Sequence, residues 1–171
     1  MKKQFVLALA LLVGAYSFAQ KKELRDVEKA IKKNNFAEAK ALLNQVEPMM
    51  ASADSKLQDK YYFLKGEALY ANGAGSAEEL QSAVENFDKV TDGYTSEINE
   101  VKTKILSSVL TKAQNFLENK KFAASSKGFE QAYKLSPKDT MYLYYAASTA
   151  VNGQDFDTAL KMYEELRDLG Y

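Results

Sequence analysis

The chain has 171 residues, with 23 basic and 23 acidic side chains, so its formal net charge is zero. A balanced chain has no field of one sign that would attract nucleic acid or hold the protein on an anionic membrane. It has no Cys and no His, which excludes disulfides, thiolate zinc sites, cysteine nucleophiles and the usual histidine general base. We therefore predict a protein that is not an enzyme and that has no catalytic, cofactor-binding or metal-binding residues.

The first nineteen residues have the layout of a secretory signal peptide. Lys2 and Lys3 precede an apolar run from Phe5 to Ala15, and small residues stand at the positions that signal peptidase reads, Ser17 and Ala19. The run is short for a bilayer span, which needs about 20 apolar residues. We expect cleavage after Ala19 and export. A lysine-led signal ending in Ala-Gln resembles those of Gram-negative Bacteroidota, which favours a periplasmic location over an extracellular one.

Two helical hairpins are predicted first, from apolar residues at helical spacing interrupted by turn residues. The first covers roughly 20–50 and turns at Asn34-Asn35. The second covers roughly 54–92, begins near Asp54 or Asp59, and is closed by Asp92-Gly93. Its turn, from Asn72 to Glu79, is predicted to be enlarged by about five residues relative to the later hairpins.

Two further hairpins are predicted over roughly 97–137 and 139–169. Asn119-Lys120-Lys121 turns the third, and Ser136-Pro137 ends it because proline cannot continue a helix. In the fourth, Thr140 is predicted to cap the first helix, Asn152-Gly153 to end it, and Asp155 to cap the second helix.

A fixed period relates these two hairpins. The stretch Phe122–Ala132 matches Phe156–Leu166 at an offset of 34 residues. A period of this size is typical of stacked helical hairpins. On this interpretation the aromatic residues Phe156 and Tyr163 fill the space between one hairpin and the next.

The phased positions resemble those of tetratricopeptide-repeat (TPR) proteins, whose first helix carries a large, a small and an aromatic residue and whose second helix carries Ala, an aromatic and Ala before a Pro. The matching residues are Tyr62, Gly66, Leu69, Ala83, Phe87, Val109, Ala113, Phe116, Ser125, Phe129, Ala132, Pro137, Leu143, Ala147, Ala150, Ala159 and Tyr163. The chain departs from the pattern in having no Trp and in its enlarged second turn. The resemblance implies an all-α fold, an α-solenoid of about four TPR-like hairpins over 20–171 after a signal peptide at 1–19. An unrelated helical bundle is the alternative.

The resemblance also implies a binding surface, because first helices line the concave face of a TPR superhelix. The residues carried over to that face are Lys60, Phe63, Glu67, Tyr70, Leu110, Gln114, Leu117, Met141, Tyr144, Ser148 and Asn152. Apolar anchors with a few amides and charges suit an extended or helical peptide. The alternative role for the tyrosines is packing with a hydrated hydroxyl group.

Two functions are compatible with these features. The first is a non-catalytic interaction module or scaffold in the cell envelope, with a protein or peptide partner, no nucleic acid and no membrane span after signal cleavage. The second is an accessory N-terminal region of a longer exported protein or enzyme whose remaining domains lie beyond residue 171. The last predicted helix carries Leu160, Tyr163 and Leu169 with no capping helix after it, so self-association is a further expectation.

Overall fold

The computed structural model describes residues 20–171, and the predicted signal peptide at 1–19 lies outside the described residues. Residues 20–171 form α-helices with no β-strand among them, which confirms the predicted all-α class. The helices are α1 (20–32 within the described part), α2 (Phe36–Val46), α3 (Ser55–Tyr70), α4 (Ala77–Phe87), α5 (Thr95–Glu118), α6 (Phe122–Leu135), α7 (Thr140–Asn152) and α8 (Phe156–Asp168). None of these helices is both long enough and apolar enough to cross a bilayer.

Local sequence sets most of the helix starts. Asn35, Asp54 and Asp155 each accept a hydrogen bond from a backbone N–H in the first turn of α2, α3 and α8, respectively. Such caps satisfy donors that the helix itself leaves without partners. The predicted end of α7 at Asn152-Gly153 is also observed, with Gly153 as the C-cap.

Two predicted boundaries are wrong. Asp139 caps α7 instead of Thr140, because its carboxylate accepts the N–H of Met141 at 3.2 Å. The second turn is shorter than predicted, since Ser76 and Glu79 form a capping box that starts α4 at Ala77. Six residues, 71–76, join α3 to α4, against three, 119–121, between α5 and α6.

The chain forms two compact units, the first ending at Ile98 and the second running from Asn99 to Tyr171. The core of the first unit joins α1, α2 and α3 through buried residues such as Leu24, Leu43 and Tyr61. Lys60 of α3 pairs with Glu28 of α1 at 2.7 Å. Partly exposed pairs of this kind contribute about 1 kcal/mol or less, so apolar burial stabilises this unit.

In the second unit, α6 packs through two different faces. On one face, Ser125 Oγ donates to the carbonyl oxygen of Ala113 in α5 at 2.9 Å. On the other face, Ser126 Oγ donates to the carbonyl oxygen of Ala146 in α7 at 2.8 Å. Phe129 lies on this second face, with its ring 5.5 Å from that of Tyr145.

The last helix, α8, is buried on one face only. Ala159, Met162 and Leu166 are buried against the rest of the second unit, whereas Phe156 and Leu160 are exposed. The prediction that Phe156 fills a space between hairpins is therefore wrong within the described chain. Apolar spacing identified the helix correctly, but it did not show which apolar face is covered.

Candidate functional site

A cleft of 240 Å³ lies in the first unit, between α1, α3 and the segment that leads into α5. We call it the α1–α3 cleft. Its lining combines apolar, aromatic and charged side chains: Glu28, Ile31, Lys32, Lys60, Phe63, Leu64, Glu67 and Tyr94. Residues three and four apart lie on one face of a helix. The lining residues therefore form one face of α1, at positions 28, 31 and 32, and one face of α3, at positions 60, 63, 64 and 67.

Two stacked aromatic rings form one wall of the cleft. The ring centroids of Phe63 and Tyr94 are 4.1 Å apart and the ring planes are within 10° of parallel. Tyr94 has a φ of 57° and follows Gly93, whose φ is 76°. A positive φ is uncommon in a residue other than glycine. Two consecutive residues with this left-handed backbone conformation place the Tyr94 ring over Phe63.

A buried carboxylate holds the segment that carries Tyr94. Asp59 of α3 is only 5% exposed. Its side chain accepts the backbone N–H of Thr91 at 2.7 Å and also the Thr91 hydroxyl group. Asp59, one of the two residues near which the second hairpin was predicted to begin, lies inside α3 and ties this helix to the connection between α4 and α5.

A charged rim bridges α1 and α3 across the cleft. Glu28 accepts hydrogen bonds from Lys32 and from Lys60, each at 2.7 Å. The hydrogen bond from Lys32, followed by that from Lys60, lowers the pKa of Glu28 to about 2. The carboxylate is therefore ionised at neutral pH, and its single negative charge is shared between the two ammonium groups beside the aromatic wall.

A second cleft of 610 Å³ adjoins the first and shares Lys60 and Tyr94 with it. Charges of both signs line this second cleft: Lys21, Arg25, Lys56 and Lys60 on the basic side, and Asp54, Asp59, Asp92 and Glu97 on the acidic side. The two clefts together offer one apolar and aromatic position next to a surface of mixed charge.

The structure brings together three of the four site residues predicted in the first unit. Lys60, Phe63 and Glu67 all line the α1–α3 cleft. Tyr70 is the last residue of α3 and is half-buried, but it does not line this cleft.

In the second unit, the predicted residues of α5 lie partly in a shallow hollow. Leu110 and Gln114 line this hollow of 360 Å³ together with Phe129. Leu117 is half-buried against the core formed by α5, α6, α7 and α8. Leu110 packs against the same core, so its role in stability competes with any role in binding.

The predicted residues of α7 lie in and around an aromatic cluster. The ring of Tyr144 lies 6.3 Å from that of Tyr163 and 5.7 Å from that of Tyr171. The hydroxyl group of Tyr171 donates to the sulfur of Met141 at 3.4 Å.

The other two predicted residues of α7 lie at the edge of this cluster or outside it. Ser148 hydrogen-bonds with Tyr163, whose pKa is raised chiefly by burial. Asn152 is exposed at the end of α7. The cluster therefore contacts three of the four residues predicted on α7.

Sequence reasoning missed five residues of the α1–α3 cleft, namely Glu28, Ile31, Lys32, Leu64 and Tyr94. Glu28 and Ile31 have the same spacing on α1 as Lys60 and Phe63 on α3, so carrying the pattern back by one hairpin would have found them and the neighbouring Lys32. Tyr94 could not be found in this way, because its position depends on the positive φ angles of the segment before α5 and on the tertiary contact with Asp59.

The described residues contain no group of three or more His, Cys, Asp or Glu side chains that could hold a metal ion. Each buried side-chain nitrogen or oxygen in 20–171 has a hydrogen-bond partner. No family model, curated protein or solved structure matches this chain. We therefore infer the function of this chain from the geometry of its clefts and exposed surfaces.

Proposed function

We propose that this chain is a non-catalytic interaction module of the TPR type, that it works in the cell envelope, and that it binds a peptide or protein segment in the α1–α3 cleft. The observation that carries the proposal is the Phe63–Tyr94 stack, which lies in a cleft rimmed by the Lys60–Glu28 ion pair. Apolar anchors in a pocket with a polar rim are the usual basis of peptide recognition.

The size of the cleft favours a peptide anchor over a cofactor. Small-molecule sites usually measure about 300–1,000 Å³ and bury most of the ligand in a largely apolar lining. The α1–α3 cleft measures 240 Å³, below this range, and the adjoining cleft of 610 Å³ lies within it but is lined largely by charged side chains. A space of 240 Å³ suits one apolar side chain of a longer ligand. The neighbouring surface of mixed charge then suits the polar residues on either side of that anchor.

Helix packing within each unit supports the TPR-type part of the proposal. In the first unit, Gly66 of α3 lies directly against the ring of Phe87 in α4. In the second unit, Ala113 of α5 lies directly against Gly128 of α6. Both contacts join a small residue on the first helix of a pair to the second helix, as the TPR resemblance implies. A solenoid of such pairs is part of the proposal.

The binding test is selection of peptides from a displayed library on the purified chain, followed by titration calorimetry. We expect enriched peptides to carry an aliphatic or aromatic anchor next to charged residues. Phe63→Ala should weaken their binding at least tenfold, because truncation of a buried aromatic anchor costs about 2 kcal/mol or more. Tyr70→Ala is the matched control, since Tyr70 lies on the same helix outside the cleft, and should change affinity less than twofold.

Unchanged affinity in both variants would refute the cleft as the binding site, provided that circular dichroism shows both to be folded. The envelope part of the proposal has a separate test. Fractionation of cells that express the complete chain should recover it in the periplasm with Gln20 as its N-terminal residue. Recovery in the cytoplasm with residues 1–19 retained would refute export.

A further inference from the structure

Met141, in the first turn of α7, is the one exposed methionine of the described residues. It is 39% exposed, whereas Met50 and Met162 are 5% and 8% exposed. Met49 is half-buried and packs against the core of the first unit. A dissolved oxidant therefore reaches the thioether of Met141 more readily than those of the other methionines in 20–171.

The sulfur of Met141 accepts a hydrogen bond from the hydroxyl group of Tyr171, with 3.4 Å between the sulfur and the oxygen. A thioether is only a weak acceptor. Its sulfur carries two lone pairs, and the Tyr171 hydroxyl group engages one of them. The other lone pair remains available to an oxidant that approaches from solvent, so this contact does not protect Met141.

The turn that ends α8 brings Tyr171 to this position. The N–H of Tyr171 donates to the carbonyl oxygen of Leu166 at 3.0 Å, and Gly170 has a φ of 80°. Both features are those of a Schellman motif, which satisfies the last carbonyl groups of a helix. The Tyr171 ring then stacks on that of Tyr144, with the ring centroids 5.7 Å apart and the planes 27° from parallel.

The ring of Tyr171 is held at the surface of the second unit and not in its core. Tyr171 is 60% exposed. Its side chain is held by the stack on Tyr144 and by the hydrogen bond to Met141. A chemical change at the Met141 sulfur therefore acts directly on the second of these contacts.

Conversion of Met141 to the sulfoxide is incompatible with the observed contact. An oxygen added on the lone pair that faces Tyr171 would lie between the sulfur and the hydroxyl group. Their separation of 3.4 Å is too short for it, because an O–H···O hydrogen bond alone spans about 2.7–2.8 Å. An oxygen added on the solvent side makes the side chain polar and leaves a partial positive charge on the sulfur, which then no longer accepts the hydrogen bond. Because one rigid ring carries both contacts, displacement of the hydroxyl group also disturbs the stack on Tyr144.

We propose that Met141 is a site of reversible oxidation by peroxides, and that its conversion to the sulfoxide detaches the Tyr171 ring from Tyr144. Detachment uncovers the Tyr144 ring on α7. This site lies in the second unit and does not depend on the peptide site proposed in the α1–α3 cleft.

The reaction is a two-electron oxidation of the sulfur. A sulfur lone pair attacks the terminal oxygen of the peroxide, so that an S–O bond forms and the O–O bond breaks. The remaining peroxide oxygen takes up the proton and leaves as water or an alcohol. Methionine sulfoxide reductases reverse the reaction, one enzyme for each sulfoxide epimer. Two thiols are the reductant and become a disulfide, and the oxygen leaves as water.

The first test is timed exposure of the purified chain to hydrogen peroxide, followed by peptide mapping with mass spectrometry. Met141 should react about tenfold faster than Met50 and Met162, because burial keeps the oxidant from the other two sulfurs. In urea the three methionines should react at equal rates, which is the control for an effect of neighbouring sequence. Equal rates in the folded chain would overturn the proposal.

The second test follows the NMR cross-peaks between the ring protons of Tyr144 and Tyr171. These cross-peaks should disappear when Met141 is oxidised and return after treatment with methionine sulfoxide reductases for both epimers. Met141→Leu should keep them in peroxide, since leucine is apolar and is not oxidised, whereas the polar Met141→Gln should lose them without peroxide. Met49→Leu is the matched control and should respond to peroxide like the unchanged chain. Cross-peaks that persist with Met141 fully oxidised would overturn the proposal.

Discussion

Gly66→Ala tests the close packing of α3 against α4 in the first unit. An ideal Cβ atom at Gly66 would lie 2.3 Å from Cε1 of Phe87 and 2.6 Å from both Cδ1 and Cζ. Carbon atoms pack best about 3.5–4.0 Å apart, so the ring must move by about 1 Å. Phe87 is only 2% exposed and lies next to Phe63, which leaves the ring little room to move.

The expected net effect is a loss of about 2 kcal/mol in the free energy of unfolding. Overpacking a core costs about 1–3 kcal/mol, and three contacts below 3 Å place Gly66→Ala at the upper end of this range. Alanine recovers about 1 kcal/mol through its higher helix propensity. A loss of about 2 kcal/mol lowers the Tm of a chain of this size by about 4–8 °C.

Thermal unfolding followed by circular dichroism measures this effect, and a double-mutant cycle identifies its cause. Phe87→Leu should destabilise the wild-type chain but should restore part of the stability of Gly66→Ala, with a coupling of about 2 kcal/mol. Gly93→Ala is the control, because nothing lies within 4 Å of its added Cβ. It should cost about 1 kcal/mol through its positive φ alone. A stabilised Gly66→Ala variant, or strictly additive effects with Phe87→Leu, would refute the packing argument.

Three other predictions concern buried hydrogen bonds and one carboxylate. Asp59→Asn should lower the free energy of unfolding in urea by about 1–3 kcal/mol, because the amide is a weaker acceptor for the N–H of Thr91. An unchanged midpoint would show that the Asp59–Thr91 hydrogen bonds do not stabilise this segment. Ser126→Ala should cost about 1 kcal/mol in the same assay, since the hydrogen bond to Ala146 is lost in a buried position, and a stabilised variant would contradict this. The pKa of Glu28 is about 2 in the folded chain, against 4.5 for a glutamate without these partners. The contribution of Glu28 to folding stability is therefore complete above about pH 4.5 and is lost as the pH falls toward 2. Allowing for solvent screening, we expect the free energy of unfolding to change by on the order of 1 kcal/mol over this range. Glu28→Gln should reduce the slope of stability against pH, and an identical slope would contradict a stabilising role for the Glu28 carboxylate.

Much of the α1–α3 cleft could be predicted from sequence, because its residues recur at helical spacing. Lys60, Phe63 and Glu67 follow from the face of α3 that the TPR resemblance assigns to binding. Tyr94 does not follow from any periodicity, since it lies between helices and its ring position depends on backbone angles that the residue type does not favour. Tyr70 shows the opposite case: its spacing continues the face, but α3 ends at this residue and the cleft does not extend to it.

Local sequence features are sufficient to predict where the helices form. Apolar spacing, Asn and Asp caps and the breaks at glycine and proline act over a few residues, so they predict local structure without knowledge of the fold. Which apolar faces are covered follows only from the packing of the helices against one another. Phe129 and Tyr163 occupy equivalent places in the same repeat pattern, yet one lies under α7 and the other remains partly exposed. Burial depends on whether a neighbouring helix is present, and that is a property of distant parts of the chain and of its partners.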